Sequence, residues 1–164
     1  MPGQVYTGTV ADLPRETRFN NNYHRTGLVM DGANICFVWL DPEAFAEVAA
    51  SDGSAPCHSH PFDMMIYVLE GDLRFRAGDK EHYLSGGDFI YVPRDVPHGG
   101  RPAKNAPVHL IEIFAPLRTD YLYIAEHQLG YKQAPRKEDG SRVDERSVLE
   151  AAADMGDSLL EQTK

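Results

Sequence analysis

The sequence predicts an all-β chain: a sandwich or barrel of short strands, with one amphipathic helix near its C-terminal end. Three observations carry this. Short β-branched and aromatic runs recur between residues 26 and 114, with turn residues roughly every eight to twelve positions. Alternation with a period of two is strict in Leu73-Arg74-Phe75-Arg76, which marks a strand with two unlike faces. Helical spacing comes only late, where Val148, Leu149, Ala152, Met155, Leu159 and Leu160 recur at helix period within 143–162.

In order, residues 1–25 are polar and carry an Asn20-Asn21-Asn22 turn, so they read as an irregular arm with at most one edge strand. His24, within it, reads as structural or exposed. Strands are expected at 26–30 and 34–40, joined by the Asp31-Gly32 turn and ended by Asp41-Pro42. Residues 43–50 suit a short helix, with a loop at 51–54. Further strands are expected at 55–60, 64–70, 73–76, 81–84, 89–92 and 108–114, and Pro97-His98 opens another. Residues 121–128 fit a helix or an extended segment. Residues 134–142 are charged and read as a linker. The organisation is therefore an arm at 1–25, a β-barrel at 26–122 and a linker with a helical extension at 123–164.

The 164 residues are enough for one domain with a real core. A formal net charge of −9 argues against nucleic acid and against an acidic membrane surface. There is no apolar run near eighteen residues, no basic-then-apolar leader and no helix-turn-helix pattern, so neither a membrane nor nucleic acid is an expected partner. Two cysteines, Cys36 and Cys57, make no disulfide framework, and a cytoplasmic location is the expectation.

The chemistry gathers in the stretch from Cys57 to Gly71. In an extended segment His58 and His60 project to one side, roughly 6–7 Å apart at the backbone. Cys57 has the opposite parity and should point away. His98 follows a Val96-Pro97 turn in a second segment of similar character. Three neutral imidazoles suit one divalent transition ion: zinc, iron, manganese, nickel or copper. Single histidines are more often structural, and spacing alone leaves both readings open.

These two segments resemble the paired motifs of the cupin superfamily. In the first motif His58, His60 and Gly71 fit, and the position usually held by Glu or Gln falls on Met64. In the second, Gly87, Pro93 and His98 fit, with Asp95 in place of Gly. Fifteen residues separate Gly71 from Gly87, the short spacing of small bacterial cupins. The resemblance spans roughly positions 30 to 122. It implies a jelly-roll β-barrel holding one metal ion, and a homodimer. Met64 offers only a weak thioether donor. Three arrangements follow: three histidines with Met64 as apolar wall, Asp63 as a further ligand, or Met64 as a ligand favouring copper.

The strand at 108–114 places Leu110, Glu112 and Phe114 on one face. A Glu in an apolar strand is costly to bury unless it is bonded, metal-bound or functional, and an outward carboxylate is the plain alternative. The run from Phe114 to Leu122 resembles the end of the KdgF-like cupins of pectin degradation. Those proteins convert unsaturated uronates to an open-chain keto form. Glu112, Phe114 and Arg118 occupy the positions of that family's inward acid (usually Asp), inward Phe and Arg. The resemblance implies catalytic roles for Glu112 and Arg118, with Phe114, Met64 and Ile66 as pocket walls. Three function classes are expected: a metal-dependent lyase, isomerase or hydratase on a small polar carbonyl or sugar-acid-like compound; an iron or copper dioxygenase; or a non-catalytic small-molecule-binding cupin.

Overall fold

Apolar alternation sets the strand faces, and a computed structural model shows how they assemble; it describes residues 7–18, 22–44 and 56–128. The strands are β1 (Glu16–Arg18), β2 (Tyr23–Met30), β3 (Ala33–Leu40), β4 (Asp63–Glu70) and β5 (Asp72–Ala77). After them come β6 (Lys80–Ser85), β7 (Phe89–Val92), β8 (His98–Pro102) and β9 (Val108–Ala115). All pairings are antiparallel. One sheet runs β1-β2-β3-β9-β4-β7 and the other β6-β5-β8. Their inner faces share one core, with Val38, Met64, Ile66, Val68 and Leu110 from the first and Leu73 and Phe75 from the second. Burying this many large apolar side chains is the main driving force for the fold.

Register places the functional strand faces. Gly27, Cys36, Glu112 and Ile66 stand in one row across β2, β3, β9 and β4. Met64, Phe114 and Asn34 form the next. Glu112 therefore projects from the middle of the large sheet, between apolar neighbours.

Three features depart from the sequence reading. Residues 56–60 form no strand: His58 makes only a two-bond bridge with His98, with His58 N donating to His98 O at 2.9 Å and His98 N to His58 O at 2.8 Å. Pro56 and Pro61 have no N–H, so the ladder cannot propagate. The second strand begins at Tyr23 rather than 26, and β1 of the arm pairs with its first residues. Residues Thr119–Ala125 form a 3₁₀ helix across the expected boundary at 122–123. The helix expected at 143–162 and the linker at 134–142 lie outside the described residues, as do the 51–54 loop and most of the 43–50 helix.

The segment after β9 is strapped onto the sheet. The Gln128 amide pairs with both Val29 N and Val29 O at 2.7 Å, and His127 Nε2 bonds Gly27 O at 2.8 Å. Cys36 is buried, Cys57 is exposed, and neither is in a disulfide. Among the described residues no helix is long and apolar enough to cross a membrane.

Gly71 ends β4 with φ 86°, and a Cβ there would lie 2.4 Å from Pro107 O. Gly71→Ala should cost more than about 1 kcal/mol, because it combines a left-handed conformation with a backbone collision. Gly32 shares the conformation (φ 80°) but has open space around it, so Gly32→Ala should cost less. Urea midpoints of the two variants check the ranking.

Candidate metal centre

The bridge between His58 and His98 brings the two histidine segments together. Candidate ligand nitrogens of His58, His60 and His98 all lie within 4.8 Å of one another. Ring centroids are 4.6 Å apart for His58–His98, 4.7 Å for His60–His98 and 5.7 Å for His58–His60. His60 and His98 are buried and His58 is the exposed member. The turn of the second motif is pinned to the first, since Asp95 N donates to His60 O at 2.9 Å. Asp95 adopts φ 63°, the left-handed conformation for which Gly is the usual choice and which Asp tolerates better than most residues.

The tautomers follow from the hydrogen bonds. His60 Nδ1 lies 3.0 Å from Phe62 O, and His98 Nδ1 lies 2.7 Å from Val96 O. A carbonyl oxygen only accepts, so both Nδ1 atoms carry the proton and donate. Each Nε2 then bears the lone pair. Both Nε2 atoms are buried with no hydrogen-bond partner among the described residues. Orphaned lone pairs of this kind, oriented from behind by carbonyls, are what a metal ion requires of histidine. Partial burial, then the neighbouring imidazoles His98 and His60, push the His58 pKa down to about 4, so it too is neutral near pH 7. The three residues fit one divalent ion.

The other candidates are placed as follows. Met64 is buried beside Phe114 and lines the same cavity as His58 and His98. Asp63 faces away: its Oδ1 accepts from Arg94 N at 3.0 Å and Arg94 Nε at 3.2 Å, and it is not part of the cluster. Phe114 packs edge-on against His60, with centroids 5.4 Å apart. Ile66, Phe114, Glu112 and Arg118 all line the cavity, whose volume is about 430 Å³. The surface Glu112 retains faces that cavity. Burial raises its pKa, and Arg25 and Arg118 pull it back. Tyr23 also lines the cavity; burial, then the Glu112 carboxyl, keeps its hydroxyl protonated.

Arg118 is 8% exposed and held on three sides. Its Nε and Nη2 donate to Asp120 at 3.1–3.2 Å, and its guanidinium lies 3.6 Å from the Tyr121 ring centroid. Asn34 Nδ2 donates to Arg118 O at 3.0 Å, which fixes the backbone. Asn34 and Arg25 were missed by sequence reasoning. The available signal was Arg25 within Tyr23-His24-Arg25-Thr26, where an alternating pattern already begins.

Residues 44–114 match the family model described as the cupin domain. No curated protein matches the chain. Among solved structures, the chain is similar to an RmlC-like cupin from Shewanella frigidimarina NCIMB 400, at 21% identity and TM-score 0.59, covering 74% of this chain and 99% of that one. KdgF from Halomonas sp. gives 21% identity and TM-score 0.56, covering 71% and 100%. Hydroxypropylphosphonic acid epoxidase from S. wedmorenis gives 22% identity and TM-score 0.53, covering 66% and 58%, so the chain spans little over half of that protein. Likeness at these identities shows a shared fold.

The site makes a graded prediction for metal content by elemental analysis. His60→Ala should lose most of the bound metal, because it removes a buried candidate ligand. Met64→Glu should tighten binding by adding a charged oxygen donor beside the imidazoles. Asp63→Ala should leave occupancy unchanged, since Arg94 already engages that carboxylate. Loss of metal in Asp63→Ala would contradict the placement of Asp63.

Proposed function

We propose, from the match of residues 44–114 to the cupin-domain model, that the chain is a metal-dependent enzyme of the lyase, isomerase or hydratase type. Its substrate is a small polar carbonyl or sugar-acid-like compound that fits a cavity of about 430 Å³. One observation carries this reading: Glu112 projects from the middle of an apolar row into the cavity that His58 and His98 also line, and burial holds it toward its protonated form. An acid whose carboxyl is pushed up by burial inside a cleft is suited to proton transfer.

A divalent ion on His58, His60 and His98 would supply Lewis acidity toward a substrate oxygen. The chain's own residues supply the rest. Glu112 gives or takes the proton. Arg118, fixed by Asp120 and Tyr121, orients the substrate. Met64, Ile66 and Phe114 form a dry apolar wall against it. A second reading is an iron or copper dioxygenase. It draws support from the composition of the cluster, three imidazoles with no carboxylate among the described residues, which leaves positions open for O₂ and substrate.

Glu112→Gln tests the first reading. It should abolish turnover without abolishing ligand binding, and the parent should turn over without consuming O₂. Stability supplies a second readout. The folded Glu112 keeps a proton that the unfolded chain releases above its ordinary range, so folding stability falls as pH rises from there through the folded-state value. The amide does not titrate. Glu112→Gln should therefore be more thermostable than the parent at neutral pH, and turnover unchanged by the substitution would sink the assignment.

We also propose that the protein is a homodimer. Tyr67 and Phe89 stand opposite each other on the outer face of the large sheet, beside Tyr91, and they are 38%, 67% and 56% exposed. Apolar faces of this kind favour pairing of copies. Light scattering at micromolar concentration should give about twice the 18.3 kDa chain mass; a monomer would refute the pairing.

A further inference from the structure

Three arginines, Arg18, Arg25 and Arg118, line the cavity of a chain whose formal net charge is −9. Arg25 is the most enclosed, at 2% exposed. It comes from the start of β2, outside the motifs that carry the cupin resemblance. Its Nε donates to Glu16 Oε2 and its Nη2 to the Tyr123 hydroxyl. Its guanidinium lies 4.1 Å from the Tyr121 ring centroid, and Arg118 lies 3.6 Å from the same centroid. Two buried cations thus share one aromatic ring.

A guanidinium has five N–H donors. Glu16, Tyr123 and the Tyr121 hydroxyl engage up to three of those of Arg25, and Asp120 takes those of Arg118 Nε and Nη2. Each arginine therefore keeps donors beyond these partners, and both line the cavity. The charges do not balance either. Glu16 faces Arg18 and Arg25, Asp120 faces Arg118, and the remaining acid, Glu112, is pushed toward its neutral form. A like-charged pair with spare donors in a low-dielectric cleft attracts an anion that can accept from both.

We propose that Arg25 and Arg118 form an anion-binding wall, so that the cavity takes an organic anion whose carboxylate or phosphate group sits against them. Arg25 is then a specificity-determining residue, and Glu16 positions it. The proposal rests on the cavity being the ligand site, but not on the metal or on turnover. The contrary account is that both arginines only tie β1 and the 3₁₀ segment to the sheet.

Calorimetric titration of the purified protein with inorganic phosphate, and separately with acetate, tests it. At least one anion should bind the parent, and the stronger of the two identifies the group recognised. Arg25→Met should weaken that binding at least tenfold, and Arg25→Lys should fall between. His60→Ala should retain it, which separates the wall from the imidazoles and keeps the result independent of whether Glu112 proves catalytic. Binding of neither anion, unchanged binding in Arg25→Met, or loss in His60→Ala alone would overturn the proposal. If Arg25→Met does not fold, crystals of the parent soaked in selenate decide. An anomalous peak within hydrogen-bond distance of both arginines supports the wall, and a peak at the imidazoles alone refutes it.

Discussion

The backbone bridge between His58 and His98 is the constraint on which the site depends. Two hydrogen bonds, 2.9 and 2.8 Å long, join an irregular loop to the first residue of β8. Because β8 belongs to the small sheet while His60 packs on Phe114 of the large one, the three imidazoles gather where the sheets meet. The carbonyls of Phe62 and Val96 then fix which nitrogen carries the proton. Neither sheet alone would hold the cluster. An ion shared by the three would add folding free energy by binding the native state and not the unfolded chain.

Polar groups inside an apolar barrel are expensive, and their cost is offset pairwise in most places. Asn34 exchanges hydrogen bonds with the Arg118 backbone, Asp120 pairs with the Arg118 guanidinium, and Glu16 is shared between Arg25 and Arg18. Glu112 has no such carboxylate-matched cation. It sits opposite the buried Cys36, whose thiol is pushed up by burial and then by Glu112 itself. Unsatisfied groups concentrate at functional sites because evolution tolerates their cost only where they act. Among the described residues the buried polar atoms without a partner include Nε2 of both His60 and His98, beside Thr26 Oγ1, Arg101 Nε and His109 Nε2, and it is the two imidazole nitrogens that converge in one cluster.

Much of this was legible in the sequence. The spacing of His58, His60 and His98 singled out three residues that the fold brings together, period-two alternation put Glu112 and Phe114 on one face, and the family resemblance pointed to Met64 and Ile66; these four all line the cavity. The convergence arises differently from the parity argument, however. Residues 56–60 are not a strand, because prolines on both sides remove donors, and the bridge to His98 does the work instead. Arg25 was hidden because a polar stretch looks like a surface arm until its pairing partner is known. Its burial depends on Glu16 and on tyrosines that arrive from far along the chain. Asn34 was hidden for a similar reason: what it bonds is the backbone of a residue 84 positions away.

X-ray absorption at the metal edge, on protein purified without added metal, tests the central claim most directly. The account predicts a transition metal near one per chain, with a first shell of imidazole nitrogens at about 2.0–2.1 Å if the ion is zinc, three of them per metal, and no sulfur scatterer. Protein that carries no metal, or a shell containing the Met64 sulfur or fewer than three imidazoles, would contradict it.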